Sequence, residues 1–171
     1  SLASAKQFEK VGTIIKADAD RKFVVPSAPG KRDSSDTKVT DMLYATYAFA
    51  EKGNDFTKAL KGIEARYQEI IDGLGLNLSL EDEFSKIAEN FKNKAGSDYA
   101  ASRGEYLNGI IMANYLGYEF IDAAEVIFFD NDGNFLADKT NEVLSARLAD
   151  VERAVVPGFY GMKENGIVKT F

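Results

Sequence analysis

Apolar or small residues recur at three- and four-residue steps through Leu2, Ala5, Phe8, Val11, Gly12 and Ile15, then give way to the polar run 18–22. That spacing lines one face of a helix, so the opening segment reads as an amphipathic helix that ends in the polar run. Phe23-Val24-Val25 follows. It is too short and too β-branched for a helix, and Pro26 lacks the N–H that a continuing central strand would use. The pattern predicts a buried strand that stops at Pro26 and releases into the loop Ser27-Ala28-Pro29-Gly30-Lys31.

Four further stripes follow without an intervening strand pattern. Val39, Leu43, Tyr47 and Ala50 form one, closed by Lys52-Gly53 as a basic last turn with a glycine cap. Phe56, Leu60, Ile63, Tyr67, Ile70 and Leu74 form the second, and Leu80, Phe84, Ile87 and Phe91 the third, with Ser79 and Asp82 spaced as a capping box. Tyr99, Arg103, Tyr106, Ile110 and Ala113 run to Gly117 as the fourth. The aromatic members read as core. These helices predict a helical subdomain over about 37–117, inserted between sheet strands, within a single domain 1–171.

Strand patterns resume at Phe120-Ile121 and at Val126–Phe129, followed by Asp130-Asn131-Asp132-Gly133-Asn134. The Asp-x-Asp-Gly run suggests a calcium loop, but the twelfth position is Asn141 rather than glutamate, so a hairpin turn is the reading. Leu144, Leu148 and Val151 mark another helix. Ala154-Val155-Val156 reads as a strand ending at Pro157-Gly158-Phe159-Tyr160-Gly161, and Glu164-Asn165-Gly166 turns the chain into a last strand.

Composition narrows the chemistry. The chain of 171 residues has a net charge of −6 and no long basic run, which argues against nucleic acid and anionic membrane as partners. It has no cysteine and no histidine. Thiol nucleophiles, cysteine zinc sites and imidazole acid–base chemistry are therefore excluded, leaving carboxylates, lysines, hydroxyls, backbone amides or a hard cation. No stretch suits a membrane span or signal peptide, and the expectation is a soluble, cytoplasmic protein. The chain begins at Ser1-Leu2-Ala3 and stops at Phe171 inside a strand pattern, which reads as a piece of a longer chain.

Three places could carry function. Two apolar strands end in loops rich in proline and glycine, Pro26–Gly30 and Pro157–Gly161, where backbone N–H groups can approach a ligand closely. Ordinary turns would account for the same residues. In Ser102-Arg103-Gly104-Glu105 a glycine interrupts a helical stripe at a cost of about 1 kcal/mol relative to alanine, which suggests close approach of another segment beside Glu105. A helix junction with a solvated glutamate is the competing reading.

These segments, in this order, together with Val39-Thr40-Asp41-Met42-Leu43 and Phe120-Ile121-Asp122-Ala123, resemble aspartate kinase within the amino-acid kinase family. The resemblance spans nearly the whole chain. It implies an α/β fold of the three-layer αβα sandwich type and ATP-dependent phosphorylation of the side-chain carboxylate of L-aspartate, the first step toward lysine, threonine and methionine. ATP with its Mg2+ would be the cofactor and a homo-oligomer the expected assembly. By matched position, Ser27 and Thr40 would line the aspartate site, Glu105 would face the substrate ammonium, and Gly158 and Phe159 would lie in a loop near the substrate. The resemblance marks no catalytic acid or base in this stretch, and the stretch alone is expected to be a poor kinase. Kinases for glutamate, acetylglutamate or nucleoside monophosphates, and a non-catalytic amino-acid-binding module, are the alternative readings.

Overall fold

The computed structural model describes residues 1–171, and each predicted helical stripe is a helix in it. α1 (Ala5–Lys16) is followed by β1 (Phe23–Val24), and then by α2 (Val39–Glu51), α3 (Thr57–Gly73), α4 (Glu81–Lys92) and α5 (Ser97–Leu116). β2 (Glu119–Phe120), α6 (Ala123–Val126), β3 (Phe128–Phe129), α7 (Ala137–Leu148), β4 (Ala154–Val155), β5 (Tyr160–Lys163) and β6 (Val168–Thr170) complete the chain. No helix is long and apolar enough to cross a membrane.

α5 is the element on which the others pack. Residues on all its faces are buried, including Ala100, Ala101, Ser102, Gly104, Leu107, Asn108, Gly109, Ile111 and Met112. The stripe Tyr99, Arg103, Tyr106, Ile110 and Ala113 is therefore only one of several covered faces, and Tyr99, Tyr106 and Ile110 on it are half-buried. The many small residues of α5 let neighbouring backbone come close. α2, α3 and α4 share one large core with α1, α5 and Val155, in which Phe8, Leu43, Ile63, Tyr67, Phe91 and Ile111 are buried. A smaller core joins Ile121, Ala123, Val126, Ala154, Val156 and Tyr160.

The strands form two sheets of three. β1, β4 and β2 pair in parallel in the order β1-β4-β2, with Phe23 and Glu119 both level with Ala154. All three carboxyl ends therefore face one edge, from which segments 25–30, 121–122 and 156–159 depart. In the second sheet, β3 runs parallel to β5 and β5 antiparallel to β6.

Several local expectations are corrected. β1 is not a buried strand but an outer one, with Phe23 49% and Val25 67% exposed. Its β-branched composition reports strand conformation, not depth in the sheet. Val126 belongs to α6 rather than to a strand, because the Asp122 carboxylate accepts a hydrogen bond from Ala124 N (3.0 Å) and starts a short helix there. The Ser79–Asp82 capping box does not form: α4 begins at Glu81, and Ser79 Oγ meets only the Glu81 N–H at 3.3 Å. The hairpin-turn reading of 130–134 holds: Asp130 Oδ1 accepts from Asn134 N at 2.8 Å, and Phe129 and Phe135 form an antiparallel bridge. The last helix begins at Ala137 and ends at Leu148, before Val151.

Candidate functional site

The carboxyl edge of the first sheet is closed by the middle of α5, and two glycines make that possible. A Cβ on Gly104 would stand 2.8 Å from the Ala28 Cβ, and one on Gly109 would stand 2.8 Å from Pro157 Cγ. Distances below 3 Å cannot be accommodated by side-chain shifts alone when both partners are short and packed. The glycine before Glu105 thus has the reason its sequence suggested: the Ser27 loop lies directly on the helix there, and the Pro157 loop lies one and a half turns further on. The two loops also touch each other, since Gly158 N donates to Pro26 O (3.2 Å) and a Cβ on Gly158 would stand 3.1 Å from Val25 Cγ1.

Between the glycines, two side chains grip a single peptide unit of the loop. Glu105 Oε1 accepts from Ala28 N at 3.2 Å, and Asn108 Nδ2 donates to Ser27 O at 2.7 Å. Glu105 is 6% exposed and Asn108 fully buried. Each keeps a second polar atom with no hydrogen-bond partner in the protein, Glu105 Oε2 and Asn108 Oδ1. Burial pushes the Glu105 carboxyl above its ordinary value, opposed by the Ala28 N–H. A buried acceptor without a donor costs on the order of 1–3 kcal/mol, and more when charged. The solvated-glutamate reading is therefore set aside.

The remaining sequence-derived residues sit around this grip. Thr40, in the first turn of α2, has its hydroxyl 3.7 Å from where a Gly104 Cβ would be. Ser27 gives its carbonyl to Asn108 and is itself exposed. Ser27, Thr40, Glu105 and Gly158 are thus brought to one edge. Phe159 is the least engaged: the residue is 36% exposed, its carbonyl accepts from Phe171 N (2.9 Å), and its φ is +77°. A bulky residue in the left-handed region stores strain that the flanking β-structure must hold.

Three supporting groups have roles that the sequence did not assign to them. Arg66, 6% exposed on α3, donates to Gly30 O and Thr37 O at 3.0 Å each and pairs with Asp36 at 3.3 Å, fixing the far side of the Ser27 loop. Hydrogen bonds from Arg32 hold the Asp36 carboxyl far below the usual carboxylate range. Tyr67, also on α3, donates to Gly104 O at 2.8 Å. Arg103, 7% exposed, lies over the rings of Tyr106, Tyr99 and Tyr160 at 4.2, 4.7 and 5.5 Å. Tyr160 in turn donates to Asp122 at 2.7 Å and Tyr106 to Glu83 at 2.9 Å. The i−4 and i+3 spacing of Tyr99 and Tyr106 about Arg103 was the available signal.

A surface groove between α3 and α4, lined by Phe56, Leu60, Glu64, Phe84 and Ala88, shares no residue with the Glu105 cluster.

Comparison with known proteins agrees with the resemblance. No family model matches the sequence. Aspartokinase 3 of Bacillus subtilis is 31% identical over 185 residues, covering 100% of this chain and 41% of the relative. A crystal structure of Clostridium acetobutylicum aspartate kinase is 50% identical, with a TM-score of 0.96, over 100% of this chain and 40% of that one. This chain is homologous to the aspartokinases. It spans about 40% of the length of those aspartokinases. Escherichia coli aspartokinase III, in complex with aspartate and ADP, superimposes with a TM-score of 0.77 at 20% identity, covering 98% of this chain and 40% of that one. That likeness speaks to the fold alone.

Proposed function

We propose that this chain forms the amino-acid-binding part of an aspartate kinase, which transfers the γ-phosphoryl group of ATP to the side-chain carboxylate of L-aspartate at the head of lysine, threonine and methionine synthesis. The observation that carries the reading is Glu105: a buried carboxylate that spends one oxygen on a loop amide and keeps the other, Oε2, without a protein donor. A primary ammonium supplies such a donor and neutralises the charge that burial penalises. In this reading Glu105 receives the substrate ammonium. Ser27 and Thr40 flank it, and the Gly158–Phe159 loop bounds the site from β4. The arrangement belongs to one αβα layered domain, with the helices over about 37–117 as an insertion.

In phosphoryl transfer to a carboxylate, the substrate itself is the nucleophile, so the protein's task is position and charge rather than proton removal. That suits a chain without histidine or cysteine. ATP supplies the phosphoryl group and Mg2+ its charge neutralisation. The acidic residues here form no cluster of three that would hold a metal, so no step is assigned to a magnesium site of this chain. The test is ADP formation by the full-length protein with each of L-aspartate, L-glutamate, N-acetylglutamate and nucleoside monophosphates, the acyl phosphate from L-aspartate being verified by trapping with hydroxylamine. Turnover confined to L-aspartate supports the reading. Turnover of another substrate in preference overturns it.

A further inference from the structure

The amide of Asn108 can be oriented without ambiguity. Its neighbour is the Ser27 carbonyl, an acceptor 2.7 Å away, so the atom facing it is the amide nitrogen. The oxygen is then an acceptor by elimination. It is enclosed, Asn108 being fully buried, and no protein donor reaches it.

Three residues earlier on the same face of α5, Glu105 Oε2 is in the same condition. The two side chains hold opposite groups of one peptide, the Ala28 N–H and the Ser27 C=O, so their free acceptors flank the same short piece of loop. One orphaned acceptor in a buried site invites a water. Two, one of them charged, placed a helical step apart at the carboxyl edge of a parallel sheet, match a group with several donors and a positive charge.

We propose that Asn108 is a second acceptor for the ammonium group of the amino-acid ligand, so that Glu105 supplies charge and Asn108 supplies direction. The inference rests on the aspartate reading above. It assigns to Asn108 discrimination between ligands that carry an ammonium and those that do not. A residue that only steadied the loop would affect both kinds of ligand alike.

The experiment is calorimetric titration of the intact protein with L-aspartate and with succinate, which lacks the ammonium, for wild type, Asn108→Leu and Asn108→Asp. Leucine keeps the approximate shape and removes both polar atoms, whereas aspartate keeps an acceptor and gives up the donor to Ser27. The expected result is a preference of wild type for L-aspartate that shrinks about tenfold or more in Asn108→Leu, the scale of one hydrogen bond to a charged group. Asn108→Asp should retain that preference even where both ligands bind more weakly. An unchanged ratio in Asn108→Leu, or an equal loss in both variants, overturns the role of Asn108 and leaves the aspartate reading standing. Failure of wild type to prefer L-aspartate overturns both. Should either variant not fold, the side-chain amide resonance of Asn108 in wild type decides: a shift with L-aspartate but not succinate is expected, and no shift with L-aspartate overturns the proposal.

Discussion

At the scale of residues, the site is a matter of unpaid hydrogen bonds. Glu105 has its carboxyl pushed upward chiefly by burial, so folding disfavours its ionised form relative to the unfolded chain. A raised carboxyl contributes stability that is fully present below the unfolded value and is lost as pH rises through the folded one. The difference in melting temperature between wild type and Glu105→Gln, without ligand, should accordingly move against wild type as pH climbs above the ordinary glutamate range. The difference is the quantity to follow, because Asp33 and Asp55, held low by their hydrogen bonds, lose stability as pH falls. Ligand binding runs the other way, since an ammonium needs the ionised carboxylate: wild-type affinity for L-aspartate should rise over the same window. A flat difference across pH 4–8 would mean that Glu105 is not desolvated as described. The sequence made Glu105 visible through the glycine before it. Asn108 stayed hidden, because an asparagine in a helix declares nothing until its partner carbonyl is known.

At the scale of elements, α5 shows why glycines can be read and burial cannot. Alanine is favoured over glycine in a helix by about 1 kcal/mol. At Gly62 on α3, where nothing lies within 4 Å of an added Cβ, Gly62→Ala should therefore raise the melting temperature by about 2–4 °C. Gly104→Ala has the same propensity gain but drives a methyl to 2.8 Å from Ala28 Cβ, so it should lower the melting temperature and displace the Ser27 loop. Differential scanning calorimetry of the two variants side by side tests this, and stabilisation by both would contradict the close packing. The helical stripes were legible because helices α1–α4 each bury one face. The strands were less so: with only two to four residues each, they offer no period to count, and β1 keeps an apolar sequence while standing exposed.

At the scale of the whole molecule, Arg103 joins the two cores. Tyr99 packs on the larger, Tyr160 belongs to the smaller, Tyr106 touches both, and the guanidinium lies over all three rings. Each such contact is worth about 0.5–2 kcal/mol, the upper value when desolvated. Arg103→Met should thus cost about 2 kcal/mol in urea unfolding, with Arg103→Lys in between; a cost near zero would leave the cage without energetic consequence. The order of motifs along the chain conveyed the family. The meeting of the β1 loop, the β4 loop and α5 at one edge was legible only through that resemblance; spacing alone could not give it, because it depends on parallel pairing between segments more than a hundred residues apart.

The central claim is that Glu105 receives the ammonium of L-aspartate, and titration calorimetry of wild type against Glu105→Gln with L-aspartate near pH 8 tests it most directly. Glutamine preserves the shape and an acceptor but removes the charge, a loss of about 1.5–3 kcal/mol. The expected result is binding weakened by about 10- to 150-fold with the fold intact by circular dichroism. Equal affinity of the two proteins for L-aspartate would contradict the account.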